Sequence, residues 1–210
     1  MSDKLLEKQY QEIIIPKVAK KTAKILSVAA VRELVVATDE RNWDSPFGWA
    51  TPLETWPFRK LPPQILLDTP VLDWLLRKPN QLSHNALRLL NECEYGCLVS
   101  SASWLEWAEL LRSGNYQLRG NFDDFASKLT EALRLQVVEL PVEALRLYTE
   151  LPTILAERRL PNGNPTVRKI LHDDSSDLLL VAHAIALKVP FLSPHAVFGN
   201  YAKAGLKWIW

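Results

Sequence analysis

Hydrophobic and polar positions along the chain follow two different patterns, which divide at about residue 64. From there on, short apolar runs alternate with longer stretches in which apolar residues recur at helical spacing. This alternation is typical of an α/β fold with a central, mainly parallel sheet between layers of helices. The apolar runs predict strands at 64–67, 97–100, 137–140, 189–192 and 206–210. The other stretches predict helices that begin at Pro70 after a Thr69 cap, after a Ser83 cap, and at Ser103, Phe122, Val142 and Asp177.

Residues 1–63 lack this alternation and are predicted to form a separate N-terminal arm. In its first part, apolar residues at helical spacing face away from a lysine-rich side, which predicts an amphipathic helix over about 17–37. Residues 41–63 combine three tryptophans with five prolines, a composition that favours extended, irregular chain. Two interpretations stay open: the arm buries its indoles against the main domain or a partner subunit, or it covers a cleft or stacks on unpaired bases. The tryptophans are Trp43, Trp49 and Trp56.

The composition narrows the class of protein. With 210 residues, 48% of them hydrophobic, the chain is expected to form one domain at 64–210 with the arm appended. A net charge of +1 excludes a strongly basic surface, so contact with nucleic acid would depend on local patches. No GxGxxG, P-loop or GxSxG motif is present, which excludes the common nucleotide-binding and serine-hydrolase sites. Cys93 and Cys97 form neither a CxxC pair nor a zinc spacing, and no apolar run has the length of a membrane span, so a cytoplasmic protein is predicted.

Four acids lie just past a predicted strand or in the first turn of a predicted helix: Asp68, Glu106, Asp174 and Asp177. Ligands bind outside the carboxyl ends of the strands in open α/β sheets, so acids delivered there can converge on one crevice. Carboxylate oxygens are the donors that hard cations such as Mg2+ and Mn2+ prefer. The chemistry that such a site permits is hydrolysis, in which the metal activates water and stabilises charge on a phosphate oxygen.

Most of these acids also have an ordinary structural explanation. Ser103 and Glu106 stand in S-x-x-E spacing, which is that of a helix capping box. Asp177 is a suitable N-cap, and Asp174 would favourably face the positive end of the same helix. Asp68 is less easily explained in this way, because the next residue is already available to cap the following helix.

The histidines are less informative. His84 and His183 lie among predicted helix residues, and a structural or solvated role is expected for both. His172 and His195 flank the two late acids, which leaves a metal or phosphate role open for each. Nothing in the sequence places a nucleophile beside a base, so Ser-His-Asp and Cys-His chemistry is not predicted.

Five segments, taken in order, resemble one known family, the PIN-domain ribonucleases, and within it the VapC-type toxins of toxin–antitoxin pairs. The resemblance runs from about Ile65 to Trp210. The segments are LLDT at 66–69, LS at 82–83 with Ala86, VSSASWLE at 99–106, DSSD at 174–177 with the apolar residues that follow, and FLSPH at 191–195 with Phe198 and Tyr201.

The resemblance implies a PIN-like three-layer sandwich and a Mg2+- or Mn2+-dependent endoribonuclease that cuts phosphodiesters of single-stranded RNA. It also implies a homodimer and an antitoxin protein as partners. Carried over position by position, it makes Asp68, Glu106 and Asp177 the catalytic metal ligands, with Asp174, Thr69, Ser193 and His195 in accessory roles.

Two positions depart from the family pattern. His195 stands where a fourth acid is usual, and Leu178 stands where an arginine usually follows the third acid. Replacing an acid by histidine removes negative charge from a site that binds hard cations. The alternative is therefore a catalytically weakened PIN module that binds RNA or a protein partner. The arm at 1–63 lies outside the resemblance, but its makeup is similar to that of an antitoxin tail, so a built-in cover is a further hypothesis.

Overall fold

The structure is a computed structural model that describes residues 31, 33–37, 62, 64–92, 96–158 and 167–210. Its strands, in chain order, are β1 Val35–Ala37, β2 Ile65–Leu67, β3 Cys97–Ser100, β4 Tyr116–Leu118, β5 Gln136–Val138, β6 Ile154–Arg158, β7 Val167–His172, β8 Phe191–Leu192 and β9 Trp208–Ile209. Its α-helices are α1 Thr69–Arg77, α2 His84–Glu92, α3 Ser101–Arg112, α4 Phe122–Ala132, α5 Val142–Glu150 and α6 Ser175–Leu187. Within the residues that the structure describes, 3-10 helices cover Pro79–Gln81 and Ala196–Ala204.

Five strands form the central sheet in the order β5-β3-β2-β8-β9, and every neighbouring pair is parallel. At its centre, Leu66 lies opposite Leu98 on one side and Phe191 on the other. The predicted α/β class with a central parallel sheet is confirmed, and β9 forms an edge of that sheet, as predicted. Within the described residues, the remaining strands form two antiparallel pairs, β1 with β4 and β6 with β7.

Side chains alternate across the central strands and build one hydrophobic core on each face of the sheet. Ile65 and Leu67 of β2 join a core that also contains residues from α1, α2, α3 and α4. Leu66, between them, joins a second core with α6 and the 3-10 helix at Ala196–Ala204. A strand buried on both faces explains why the sequence shows a continuous apolar run there. The arrangement is a three-layer sandwich, which is consistent with the expected PIN-like fold.

The predicted helix at 17–37 is wrong at its C-terminal end. Val35–Ala37 is a strand that pairs antiparallel with β4, and the Arg119 N–H donates to the Leu34 carbonyl at 2.7 Å. Helical spacing upstream could not reveal this strand, because its pairing partner lies far along the chain. The rest of the predicted helix and the tryptophans of the arm lie outside the described residues. Val31 is fully buried in the first core, so this part of the arm packs against the main domain.

Other elements largely agree with the sequence pattern. Ser83 caps α2 as predicted, because its hydroxyl accepts a hydrogen bond from the Ala86 N–H at 3.0 Å. The strands β4, β6 and β7 were not predicted. Among the described residues, no helix has both the length and the apolar character needed to cross a membrane.

Candidate active site

The topology of the central sheet selects one place for a ligand crevice. After β2 the chain moves toward β3 on one side of the sheet, and after β8 it moves toward β9 on the other. The carboxyl ends of the adjacent strands β2 and β8 therefore form the switch point at which open α/β sheets bind ligands. Asp68 directly follows β2, and Ser193 directly follows β8. The sequence-predicted residues from these two strand ends are thus brought together.

Asp68 is completely buried and is itself the N-cap of α1. Its Oδ1 accepts a hydrogen bond from the Thr69 N–H at 2.9 Å, and its Oδ2 accepts one from the Ser193 hydroxyl at 2.5 Å. The prediction that Thr69 would cap this helix is wrong, because the extended backbone of Asp68 lets its own carboxylate reach the first helical N–H. Burial raises the pKa of Asp68 well above its usual range, and the charges of Asp177 and Glu106 add to this effect.

Glu106 lies further into its helix than the sequence predicted. Ser100 ends β3 in an extended conformation and caps α3, because its hydroxyl accepts a hydrogen bond from the Ala102 N–H at 3.0 Å. The helix therefore begins at Ser101, and Ser103 lies inside it with a buried hydroxyl. The predicted capping box is wrong, since Ser103 is not a cap. This removes the ordinary explanation for Glu106.

The environment of Glu106 disfavours its charged form. Burial raises the pKa of Glu106 to about 8, and the charges of Asp177 and Asp174 contribute in the same direction. The nearby Thr69 hydroxyl lowers this pKa, but the hydroxyl makes no hydrogen bond of ordinary geometry within the described residues. The buried Glu106 Oε2 also lacks a hydrogen-bond partner there. A buried acceptor of this kind costs free energy unless something supplies a partner or a positive charge.

Asp174 and Asp177 belong to the start of α6, but their roles are exchanged relative to the prediction. Asp174 is the N-cap, accepting hydrogen bonds from the N–H groups of Ser176 at 2.9 Å and Asp177 at 3.1 Å. Asp177 lies in the first turn, so its predicted role as N-cap is wrong. Its Oδ2 is instead 2.9 Å from His172 Nε2. The charge of Asp177 raises the pKa of both Asp68 and Glu106, which makes it an electrostatic neighbour of both acids.

His195, which stands at the fourth position of the predicted acid site, is buried. Its backbone N–H donates to the Ser193 hydroxyl oxygen at 3.1 Å, and its ring packs against Phe198 with centroids 5.6 Å apart. Burial is the main cause that lowers the pKa of His195, while the charges of Asp177 and Asp174 oppose the shift. A neutral imidazole at this position adds no negative charge to the acid site.

The other histidines differ in their burial and in their hydrogen bonds. His84 is exposed on α2, and His183 is buried on α6 with its Nδ1 2.9 Å from the Ser100 hydroxyl. Both positions agree with the structural or solvated roles expected for them. His172 was left open by the sequence, and its hydrogen bond to Asp177 was missed. The only signal was its position shortly before the DSSD segment, at the end of a strand that was not predicted.

The donor set fits a hard divalent cation in chemistry and charge. Asp68, Glu106 and Asp177 supply carboxylate oxygens from three separate parts of the fold, and hard cations prefer such oxygens. Their mutual repulsion raises the pKa of Asp68 and Glu106, and a cation would relieve that repulsion. As the side chains stand, no three His, Cys, Asp or Glu residues of the described ranges are close enough to hold an ion together. Coordination by all three acids would therefore require side-chain rearrangement, for which Glu106 is the least constrained, since its Oε2 has no hydrogen-bond partner among the described residues.

Similarity of this chain to known proteins is found among solved structures. No protein-family model and no curated protein matches the chain. Among solved structures, eleven chains match. One of them is described as "Crystal structure of VapBC2 from Rickettsia felis bound to a DNA fragment from their promoter" and is 20% identical, with a TM-score of 0.46 over 69% of this chain and 96% of that chain. A likeness of this extent carries no argument about the activity of the present chain.

Proposed function

We propose that this protein is a VapC-like endoribonuclease that uses Mg2+ or Mn2+ to cut phosphodiesters of single-stranded RNA. The observation that carries the proposal is the placement of Asp68, Glu106 and Asp177. They come from separate elements, and the charge of Asp177 raises the pKa of both other acids, while no basic group of the described residues is among the causes that set the pKa of Asp68 or Glu106. Buried carboxylates that raise one another's pKa are typical of functional sites. The five sequence segments that resemble PIN-domain ribonucleases support the same assignment.

The side chains of the site would serve either as metal ligands or as groups that orient those ligands. Asp68, Glu106 and Asp177 would hold the cation, and Asp174 would add negative charge at the exposed end of α6. When bound, a divalent cation supplies Lewis acidity, which stabilises charge on a phosphate oxygen and makes water a better nucleophile. The Ser193 hydroxyl and the Thr69 N–H fix the two oxygens of Asp68, so this carboxylate is already oriented before a ligand arrives.

The test is RNA cleavage by the wild type and by Asp68→Asn, which keeps the shape of the side chain and an acceptor for the helix cap. A single-stranded RNA oligonucleotide is incubated with each protein at matched Mg2+ or Mn2+ concentrations. Asp68→Asn should lower kcat by at least about 100-fold, a typical cost of losing electrostatic stabilisation in an active site. Asp123→Asn, an exposed acid in the first turn of α4, is the matched control and should cleave like the wild type. Cleavage that survives both Asp68→Asn and EDTA would contradict the proposal.

One observation favours a second candidate function, a catalytically weakened module that binds RNA or a protein partner. His195 lies buried where the family pattern has its fourth acid, and burial lowers its pKa, so that corner of the site is uncharged near neutral pH. This candidate predicts RNA binding without cleavage in the wild type. It also predicts that His195→Asp, but not His84→Asp on the exposed face of α2, gains metal-dependent cleavage.

We also propose that a protein segment covers the acid site, either an antitoxin or the arm at 1–63. Deletion of the whole arm is a poor test, because Val31 and β1 belong to the packed structure. Replacing Trp43, Trp49 and Trp56 by alanine in the full chain leaves both in place. Under the built-in cover hypothesis this variant cleaves RNA faster than the wild type. Unchanged cleavage, with an unchanged melting temperature, leaves a separate antitoxin as the cover.

A further inference from the structure

Three side chains form a hydrogen-bonded chain that ends on one of the acids. The Tyr201 hydroxyl is 2.8 Å from His172 Nδ1, and His172 Nε2 is 2.9 Å from Asp177 Oδ2. The three residues come from the 3-10 helix after β8, from the end of β7 and from the first turn of α6. Tyr201 is fully buried, His172 is 6% exposed, and the Asp177 side chain is 15% exposed. These three hydrogen-bonded side chains therefore connect the second hydrophobic core to the partly exposed edge of the acid site.

The direction of each hydrogen bond follows from the chemistry of the groups. When a carboxylate is ionised it only accepts hydrogen bonds, so with Asp177 in that form His172 Nε2 carries the proton that the two groups share. In the neutral imidazole, Nδ1 is then an acceptor, and the Tyr201 hydroxyl donates to it. Burial and the charge of Asp177 raise the pKa of Tyr201 to about 12, so the phenol retains its proton at neutral pH. Since both ring nitrogens are engaged, His172 is not placed to serve as a metal ligand itself.

Aromatic packing fixes the plane of the imidazole. The ring of Phe198 meets it edge-on with centroids 5.5 Å apart, and the ring of Tyr201 does so at 5.7 Å. A ring held in this way cannot rotate without losing both contacts, so its Nε2–H points in a fixed direction. Within the described residues, Asp177 Oδ1 makes no hydrogen bond. One oxygen of the carboxylate is therefore fixed, and the other is left for a ligand.

We propose that His172, set in place by Tyr201, is a positioning residue that orients the Asp177 carboxylate toward the acid site. This inference rests on the proposed function of that site. Asp177 shares the region with Asp68 and Glu106, and like charges would drive a freely rotating carboxylate away from them. A hydrogen-bond donor on one oxygen of the carboxylate holds it in position and offsets part of that repulsion. Groups that orient metal ligands from behind typically change metal affinity or activity by about 10- to 100-fold when they are removed.

The experiment compares His172→Phe, His172→Gln and Tyr201→Phe in the full chain. Phenylalanine fills the aromatic contact but donates nothing, whereas the glutamine amide places an N–H close to the position of Nε2. His172→Phe should weaken Mn2+ binding, measured by calorimetry, and lower kcat on single-stranded RNA by about 10- to 100-fold with little change in KM. His172→Gln should recover most of both losses, and Tyr201→Phe should show a smaller loss. His84→Phe, on the exposed face of α2, is the control and should match the wild type.

A second measurement does not depend on metal or RNA. In nitrogen-15 NMR of the metal-free wild type, His172 should carry its proton on Nε2 when neutral, and Asp177→Asn should shift that proton resonance. A neutral ring protonated on Nδ1 overturns the inference whatever the activity. If the wild type cleaves RNA and both His172→Phe and His172→Gln are as active as the wild type, the inference is overturned. The proposed function is then unaffected. A wild type that binds no Mn2+ and cleaves no RNA overturns the proposed function, and the positioning role with it.

Discussion

The metal-free protein should lose stability as pH rises, and Glu106→Gln should remove much of that loss. Burial, together with the charges of Asp177 and Asp174, raises the pKa of Glu106 from 4.5 to about 8. In the unfolded chain the carboxyl titrates near its ordinary pKa, so between these two values only the folded state holds the proton. The contribution of Glu106 to stability is therefore complete below the unfolded pKa and is lost as pH rises through the folded pKa.

The size of this effect follows from the shift in pKa. A single proton changes the free energy of unfolding by about 1.4 kcal/mol per pH unit, so the loss between pH 5 and pH 8 is at most about 4 kcal/mol. Side-chain movement and water entry weaken the interactions of a newly charged group, and we expect about 2 kcal/mol to remain. For a chain of 210 residues, this corresponds to roughly 4 to 8 °C in Tm.

The assay is thermal unfolding in EDTA at several pH values between 5 and 8. The Tm of the wild type should fall by more than that of Glu106→Gln, whose neutral side chain has nothing to titrate. Glu131→Gln, an exposed glutamate on α4, should follow the wild type. Adding Mn2+ at pH 8 should raise the Tm of the wild type more than that of Glu106→Gln, since a cation that binds the folded state stabilises it. Parallel curves for the wild type and Glu106→Gln would refute the reasoning.

Two further predictions concern packing and assembly. Arg77→Met should lower the free energy of unfolding by about 3 to 5 kcal/mol, because it leaves the fully buried Asp73 without its ion pair. Denaturant titration measures this loss. Arg112→Met, in the last turn of α3, is the control and should cost much less. The homodimer implied by the family resemblance should use an exposed apolar surface, and Val137 and Val142 are 50% and 81% exposed. The double substitution to lysine should then shift sedimentation from dimer to monomer, and a wild type that sediments as a monomer would contradict the dimer.

The sequence predicted the inner strands of the central sheet because they are buried on both faces. Cys97–Ser100 is a strand with four buried residues, and a continuous apolar run is the signal that such a strand leaves. The strands outside this sheet left no such signal. Tyr116–Leu118 has one buried residue in three, and it pairs with Val35–Ala37 far upstream in the chain. Pairing between distant segments is decided by tertiary contacts, which local periodicity cannot report.

Helix caps were the least predictable part of the site. Asp, Ser and Thr follow one another at the ends of β2 and β3 and before α6, and each of them can cap a helix. The choice depends on which residue adopts an extended backbone, and therefore on where the preceding strand ends. Ser100 ends β3 and caps α3, which places the start of this helix before Ser103. Asp174 is likewise extended and caps α6 in place of Asp177. The errors bear on function, because they release Glu106 and Asp177 from the predicted capping roles, although they give Asp68 one.

Two fully buried aspartates, Asp68 and Asp73, differ in the charges that surround them, and the difference indicates a functional role for the acid site. Asp68 and Asp73 are both fully buried, one at the start of α1 and the other within it. Asp73 has a charged partner in Arg77, with two hydrogen bonds of 2.5 and 2.6 Å, and it accepts a third from Tyr116 at 2.8 Å. Among the described residues, Asp68 receives hydrogen bonds only from neutral donors, and burial together with the charges of Asp177 and Glu106 raises its pKa. The structural carboxylate of Asp73 is thus neutralised by a positive charge inside the same fold. Where a buried carboxylate has no charged partner among the described residues, a functional ligand is the expected compensation, and a divalent cation has the charge to supply it.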